Sequence, residues 1–480
     1  MVDSRVLVYR RHVRRVLWLL LVLGACEADN PRNCEDGVCS DPAFPVCDSD
    51  GAIGGNPHTC VPAACEAGRI IGCQGSGLYW CNADGTAYET IACAGGCDAT
   101  LKRCNDCVPD TANCSGNLLE RCGSSGTVEH SETCKLACST TGVAHCEHLV
   151  PRYAPDICDA DATTADYTLT SSGTVDTSLD NNCNGGVISQ TGGPALCVLH
   201  YGTVSIPMGK TLKVTGTRSF ALVADHDLMV AGVIDVSADR GTNGPGGGAT
   251  LSGASFYLTT AGGGAGFHTA GGNGGNATTD GGGGMGGMAM QNPSALVALT
   301  GGPQSGATSG GIKGGGGGGS LALVSCRGTV TVTGVLDAGG GGGQGGALST
   351  GGRGGGGGGY IVIQGAGVGI TGEIYANGGG GGAGQSPAIA GVDGEDGSRS
   401  ATVAAAGGAS VSGSGQGGAG GLGLAPGGIG LRPTMANATA GGGGGSVGFL
   451  QTYTPQGVTP TLMPSSVSPP LEPNGTVPTR

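Results

Sequence analysis

Ser219-Phe-Ala-Leu-Val, leading to Met229-Val-Ala-Gly232-Val-Ile-Asp-Val, is the stretch that decides the fold. It returns as Ser320-Leu-Ala-Leu-Val with Thr331-Val-Thr-Gly334-Val-Leu-Asp-Ala, and again as Gly359-Tyr-Ile-Val-Ile with Ile370-Thr-Gly372-Glu-Ile-Tyr-Ala. A partial copy, Ser446-Val-Gly-Phe-Leu-Gln, closes the array. Around the first copy, Val204-Ser-Ile206, Leu212-Lys-Val214, Phe220-Ala-Leu222 and Leu228-Met-Val230 alternate at period two between Gly, Asp and Thr turns. Such short, evenly spaced strands fit a sandwich or successive sides of a parallel β-helix. Hairpin dipeptides such as Asn-Gly do not separate these strands, which favours the β-helix. The copies lie 102 and 38 residues apart, so they are not a simple tandem. A common rung with insertions of different length looped out from one corner accounts for the spacing.

Those insertions are glycine. Residues 241–450 hold 79 of the 106 glycines, in runs such as Gly314–Gly319, Gly339–Gly343 and Gly354–Gly359. A flexible linker is the ordinary use of such composition. Here the runs abut apolar strands directly, and few charged residues accompany them. Glycine chains without a Cβ can instead lie backbone against backbone as polyglycine II helices, tied by N–H···O and weaker Cα–H···O contacts. Packing of that kind resembles the glycine-rich region of some receptor ectodomains and the glycine-rich tip of certain phage adhesins.

The N-terminal third is built on cysteine. Cys73, Cys81, Cys93 and Cys97 recur 41 residues later as Cys114, Cys122, Cys134 and Cys138. Cys65 and Cys104 recur 42 residues later as Cys107 and Cys146. The spacing predicts two six-cysteine modules, 65–106 and 107–150, with three disulfides in each. Cys34, Cys39, Cys47 and Cys60 form a smaller leading module with two bridges. Units this small bury too little apolar surface to fold unaided, and bridges of about 2–4 kcal/mol each make up the difference. The pairing is not readable from spacing. Zinc is the competing use, above all at Cys104-Asn-Asp-Cys107, but that pair straddles two repeats. His145 and His148 flank Cys146 and read as a solvated turn. The partner of Cys326 is open.

Arg10, Arg11, Arg14 and Arg15 precede the apolar run Val16–Leu23, which is too short to span a bilayer that needs roughly 20 residues. The run ends in Leu23-Gly24-Ala25-Cys26, which resembles the lipobox of bacterial lipoproteins. The resemblance implies removal of residues 1–25 and lipid on Cys26, several acyl chains giving durable anchoring. The whole layout resembles surface lipoproteins of myxobacteria and their relatives, a group that implies no established activity. An ordinary secretory signal is the alternative; either way the chain is exported, as its cysteine usage also suggests. Beyond residue 25 the chain has 17 basic and 34 acidic residues, so nucleic acid is not a partner.

Few residues suggest chemistry. Gly444-Gly-Ser446-Val-Gly448 matches the nucleophile-elbow pattern, yet a glycine run precedes it and a strand follows. Gly209-Lys210-Thr211 lacks the earlier glycine of a phosphate loop. Asp225-His226-Asp227 reads as a solvated turn, with a metal or catalytic role as the sharper alternative. Asp235, Asp239, Arg240, Asp337 and Glu373 recur near rung ends and could line one face. Polysaccharide lyases of β-helical fold use calcium-binding acids and a base, but bases are scarce here. Asp48-Ser-Asp50-Gly51 and Asp393-Gly-Glu395-Asp396 are weak calcium loops at best.

The expectation is therefore a mainly β chain. Residues 1–25 are the signal, 26–64 the anchor and short module, and 151–450 a parallel β-helix-like domain with glycine-rich insertions from 241. Residues 451–480 form a Pro/Thr/Ser-rich disordered tail. Catalytic residues, metal and cofactor are all expected to be none. The role is non-enzymatic, structural or adhesive at the outer membrane surface, with a membrane reached through lipid and a polysaccharide or protein ligand. The rivals are a β-helical polysaccharide-degrading enzyme, or protein binding by the cysteine repeats.

Overall fold

The computed structural model describes residues 32–480 apart from 35–36, 50–55, 160–164, 249–259, 278–280, 291–295, 306–313 and 348. Residues 1–31, on which the expected signal and Cys26 fall, lie outside the described residues. The chain divides into two compact units, 1–133 with 140–145, and 134–139 with 146–480. No helix among the described residues is long and apolar enough to cross a membrane.

The larger unit is a three-sided parallel β-helix. Its first sheet stacks Tyr167–Thr168, Val204–Ile206, Leu228–Val230, Thr329–Val332, Gly367–Ile370 and Thr461–Leu462. The second stacks Gly173–Asp176, Thr211–Thr215, Val233–Asp235, Val335–Asp337, Glu373–Tyr375 and Ser466–Ser468. The third runs parallel through Leu196–Tyr201, Ser219–Ala224, Ser320–Ser325, Tyr360–Gln364, Phe449–Thr454 and Gly475–Thr476, with Val187–Ile188 antiparallel at its first edge. Register places like on like. The columns Leu199–Leu222–Leu323–Ile363, Leu228–Val330–Val368 and Leu212–Ile234–Leu336–Ile374 meet in one core. Each such buried aliphatic side chain contributes about 1.5–3 kcal/mol of transfer free energy.

Strands of the first two sheets alternate because only one face is covered. Those of the third from Ser219–Ala224 to Phe449–Thr454 are buried throughout, since Leu149, Ile157, Phe267 and Leu299 pack on their outer face. The repeated glycine of the rung signature has a steric cause. A Cβ on Gly334 would overlap the carbonyl of Gly232, and one on Gly372 that of Gly334.

The three insertions, 236–319, 338–359 and 376–448, all leave after a strand of the second sheet and return at one of the third. Their described residues form a lattice of polyglycine II helices. Gly340, Gly343 and Gly346 donate N–H to the carbonyls of Asn377, Gly380 and Ala383 at 2.8–2.9 Å. Gly352, Gly355 and Gly358 donate to Ala440, Gly443 and Ser446 at 2.8–2.9 Å. The same segment turns Arg353, Gly356 and Gly359 N–H groups to Gln344, Gly341 and Ala338 at 2.7–2.9 Å. Bonding at every third residue is the signature of a three-per-turn helix with separate faces for separate neighbours. A Cβ on Gly356 would overlap the Gly316 carbonyl, and one on Gly445 that of Gly356. Close approach, not a left-handed backbone, demands glycine at these positions.

The Pro/Thr/Ser-rich segment 451–480 corrects the sequence reading. It carries strands into all three sheets and closes the β-helix instead of trailing from it. Pairing with the preceding rung supplies the order that its composition lacks. The domain begun at 151 thus extends to 480.

In the smaller unit, two three-stranded antiparallel sheets follow one plan: Ile70–Gln74, Gly77–Cys81 and Tyr88–Ala92, then Ala112–Ser115, Leu118–Cys122 and Val128–Thr133. Disulfides join Cys34–Cys47 and Cys39–Cys60 in the leading module. Cys65–Cys81, Cys73–Cys97 and Cys93–Cys104 staple the first repeat. Cys107–Cys122 and Cys134–Cys146 belong to the second repeat, and Cys114 and Cys138 are also disulfide-bonded. So many bridges mark an exported chain.

Candidate functional site

The acids expected to line one face do converge. Asp235 and Asp337 are register partners on adjacent rungs of the second sheet, with Lys213 one rung below and Tyr375 one above. Asp235 Oδ1 accepts from Lys213 Nζ at 2.9 Å and from the Ser237 hydroxyl at 2.6 Å. Its Oδ2 accepts from Arg399 Nη2 at 2.9 Å. Asp337 Oδ2 accepts from Arg399 Nε at 2.6 Å, and its Oδ1 from the Gly339 N–H at 2.9 Å. Arg399, carried by the third insertion, therefore bridges two carboxylates of the β-helix. Burial pushes the Asp235 carboxyl up, but Ser237 and Lys213 outweigh it and hold it below its ordinary value. At Asp337, 3% exposed, burial wins over Arg399 and the carboxyl sits above its ordinary value.

All four carboxylate oxygens are engaged by protein donors. The arrangement fastens an insertion to the helix and offers no free ligand atom to a cation. Sequence reasoning counted bases as too scarce here and missed that Lys213 and Arg399 meet these acids. Lys213 was readable from its register with Asp235; Arg399 was not, because the course of its loop decides its place. Glu373 accepts from the Tyr375 hydroxyl at 3.0 Å. Asp239 closes a tight backbone turn with Thr242, and Arg240 pairs with Asp393 at 2.8 Å.

Asp225-His226-Asp227 splits three ways. Asp225 is buried against His200 Nε2 at 2.8 Å, contrary to a solvated turn, while His226 and Asp227 are exposed. Asp227 pairs with Lys135 at 2.8 Å. His200, Asp225 and Cys326 present atoms within 4.8 Å of one another, as metal ligands would. The Cys326 sulfur is, however, bonded to Cys158, the partner left open by sequence. Asp393 and Asp396 each give an oxygen to the Gly345 and Gly342 N–H groups, at 2.8 and 2.7 Å. Glu395 accepts from the Ala406 N–H at 3.0 Å. Asp48 is buried, and Asp50 and Gly51 lie outside the described residues.

Ser446 is fully buried inside the lattice, and its hydroxyl has no hydrogen-bond partner among the described residues. His268 lies nearby, its own N–H donating to the Val447 carbonyl at 3.1 Å. Both its ring nitrogens are committed, Nδ1 facing the Gly448 carbonyl at 3.1 Å and Nε2 facing Glu472 at 3.2 Å. Among the described residues no base is directed at the serine, so the nucleophile-elbow match gains no support from its surroundings.

The feature that remains is the lattice surface. From Ser400 to Leu471 the only charged residue is Arg432. Met285, Met288, Val403, Leu424 and Ile429 on the insertions are 63–88% exposed. In the smaller unit a depression of about 650 Å³ offers Glu66 and Asp84 but no base and no aromatic ring. Compared with protein-family models, curated proteins and solved structures, the chain matches none.

Proposed function

We propose that this chain is a non-enzymatic surface lipoprotein, tethered at the outer membrane through lipid on Cys26, and that its glycine lattice serves adhesion or envelope structure. The observation carrying the reading is a backbone-bonded glycine lattice, charge-poor from Ser400 onward, with apolar side chains on its surface. Contact with uncharged material is what such a surface favours, since little charge must be desolvated. The engagement of Asp235, Asp337 and Asp225 by hydrogen-bonding neighbours within the protein supports the non-enzymatic part.

Labelled palmitate should enter the wild-type chain and not Cys26→Ser, which should leave the membrane fraction. Cells bearing the chain should hold to uncharged surfaces better than cells bearing a variant with the lattice disrupted. A purified chain that cleaves polysaccharide, with the activity lost in Asp235→Ala and Asp337→Ala, would establish the enzymatic rival instead.

A further inference from the structure

We propose that Met285 and Met288, on the first glycine-rich insertion, form a binding site for a soft monovalent metal ion, Cu(I). Three of the chain's eight methionines fall within six residues, Met285-Gly-Gly-Met288-Ala-Met290. Lattice neighbours fix the phase of this segment. Gly284 and Gly287 donate N–H to the Ala261 and Gly264 carbonyls at 2.8 and 2.9 Å, and their own carbonyls accept from Gly274 and Gly271 at 2.8 and 2.9 Å. Gly283 and Gly286 donate to Asn276 and Asn273 Oδ1 at 2.8 and 2.7 Å. Two of the three faces are thereby taken. The third carries residues 282, 285 and 288, and both methionines stand on it, 68% and 88% exposed.

The lattice does not ask for methionine there. Other segments expose Val403, Ala406 and Ala409, or Gln416 and Ala419, or Ile429 and Arg432, at the same three-residue step. Methionine is ordinarily buried, so two on one open ridge need a cause. Apolar contact alone is served by Val403, Leu424 and Ile429. What a thioether adds to an apolar side chain is a soft, polarizable sulfur.

Donor chemistry selects the ion. Thioether sulfur suits Cu(I), whereas calcium and magnesium take oxygen ligands and zinc takes thiolate, imidazole or carboxylate. No thiolate competes, since every cysteine among the described residues is disulfide-bonded. One turn of a polyglycine II helix separates the two Cα atoms by about 9.3 Å. Bonds of about 2.3 Å, the length sulfur makes to zinc, set two sulfurs on one ion at most about 4.6 Å apart. Each unbranched side chain closes its half of the difference by leaning about 2.4 Å along the ridge through its three rotatable bonds. The backbone beneath is already hydrogen-bonded, so binding orders side-chain rotamers alone. Met290 is in step with Gly287, is half-buried and packs against the apolar cluster outside the third sheet, so it belongs to the core.

The test titrates Cu(I) anaerobically into the purified full chain against a chromogenic Cu(I) chelator. One ion per chain is expected, held equally from about pH 8 to about pH 5, because thioethers carry no proton to lose across the histidine range. Met285→Leu and Met288→Leu, changes of similar volume on an open ridge, should each weaken binding by about tenfold or more. Met208→Leu with Met463→Leu, which removes exposed methionines that stand alone in the sequence, should leave binding unchanged. Hydrogen exchange at amides 283–287 certifies that the variants keep the lattice. No uptake by the wild-type chain, uptake surviving Met285→Leu with Met288→Leu, or uptake lost on acidification as histidine protonates overturns the proposal.

Discussion

Replacing Gly356 by Ala adds one methyl group where backbones of the lattice meet closely. The Gly356 N–H donates to Gly341 at 2.8 Å, its carbonyl accepts from Gly379 at 3.0 Å, and the new Cβ would overlap the Gly316 carbonyl. Relief of that overlap strains or breaks both bonds, each worth about 0.5–1.5 kcal/mol. Overpacking adds about 1–3 kcal/mol. The sum, about 2–6 kcal/mol, is a large part of the roughly 5–15 kcal/mol of net stability typical of a domain. Gly369→Ala is the contrasting change. Gly369 has no atom near its would-be Cβ and no left-handed backbone, so Ala there should be neutral or stabilise by about 0.4–1 kcal/mol through the unfolded state. Calorimetry of the purified chain compares the two variants, and hydrogen exchange reports protection of amides 340–346 and 352–359. Were the insertions flexible spacers, both substitutions would behave alike and these amides would exchange unprotected. Either result would refute the lattice.

Further expectations concern the bridges and the acids. Loss of Cys158–Cys326, which closes 168 residues, should lower stability by about 5 kcal/mol on the chain-entropy relation, read from denaturation of Cys158→Ser with Cys326→Ser. Asp235→Asn should cost about 1.5–3 kcal/mol at pH 7, from charge-assisted bonds to Lys213 and Arg399, in chemical denaturation. Because folding holds the Asp235 carboxyl low, its contribution is present above the unfolded value near 4 and fades as pH falls through the folded value. Asp337 runs the other way: its folded value is raised, so protonation on acidification favours the fold. The Asn variant should therefore show a shallower acid loss than wild type, and an unchanged acid limb would contradict the assignment.

The rungs were legible because each strand carries its own alternation and each copy its own glycine, at 232, 334 and 372. The cysteine repeats were legible from spacing alone, and the pairings that spacing left open are local within each module. What stayed hidden depends on distant partners. Thr461–Leu462 and Ser466–Ser468 are too short and polar to announce themselves, and are strands only because Gly369–Ile370 and Glu373–Tyr375 lie beneath them. Arg399 reaches Asp235 across 164 residues, and Cys158 reaches Cys326 across 168. No local pattern encodes such meetings. Asp225 misled because an acid beside His226 and Asp227 looks wet, while its real neighbour, His200, arrives from the preceding rung.

A three-per-turn helix with different neighbours on each face has a phase. Deleting one residue from 338–346 or 352–359 would rotate everything downstream by about 120°, swinging side chains meant for water into adjoining backbones. Removing three would merely shorten the segment and leave each residue facing its former direction. Length variation in these insertions should therefore be accepted in steps of three amino acids, a reading frame imposed by packing.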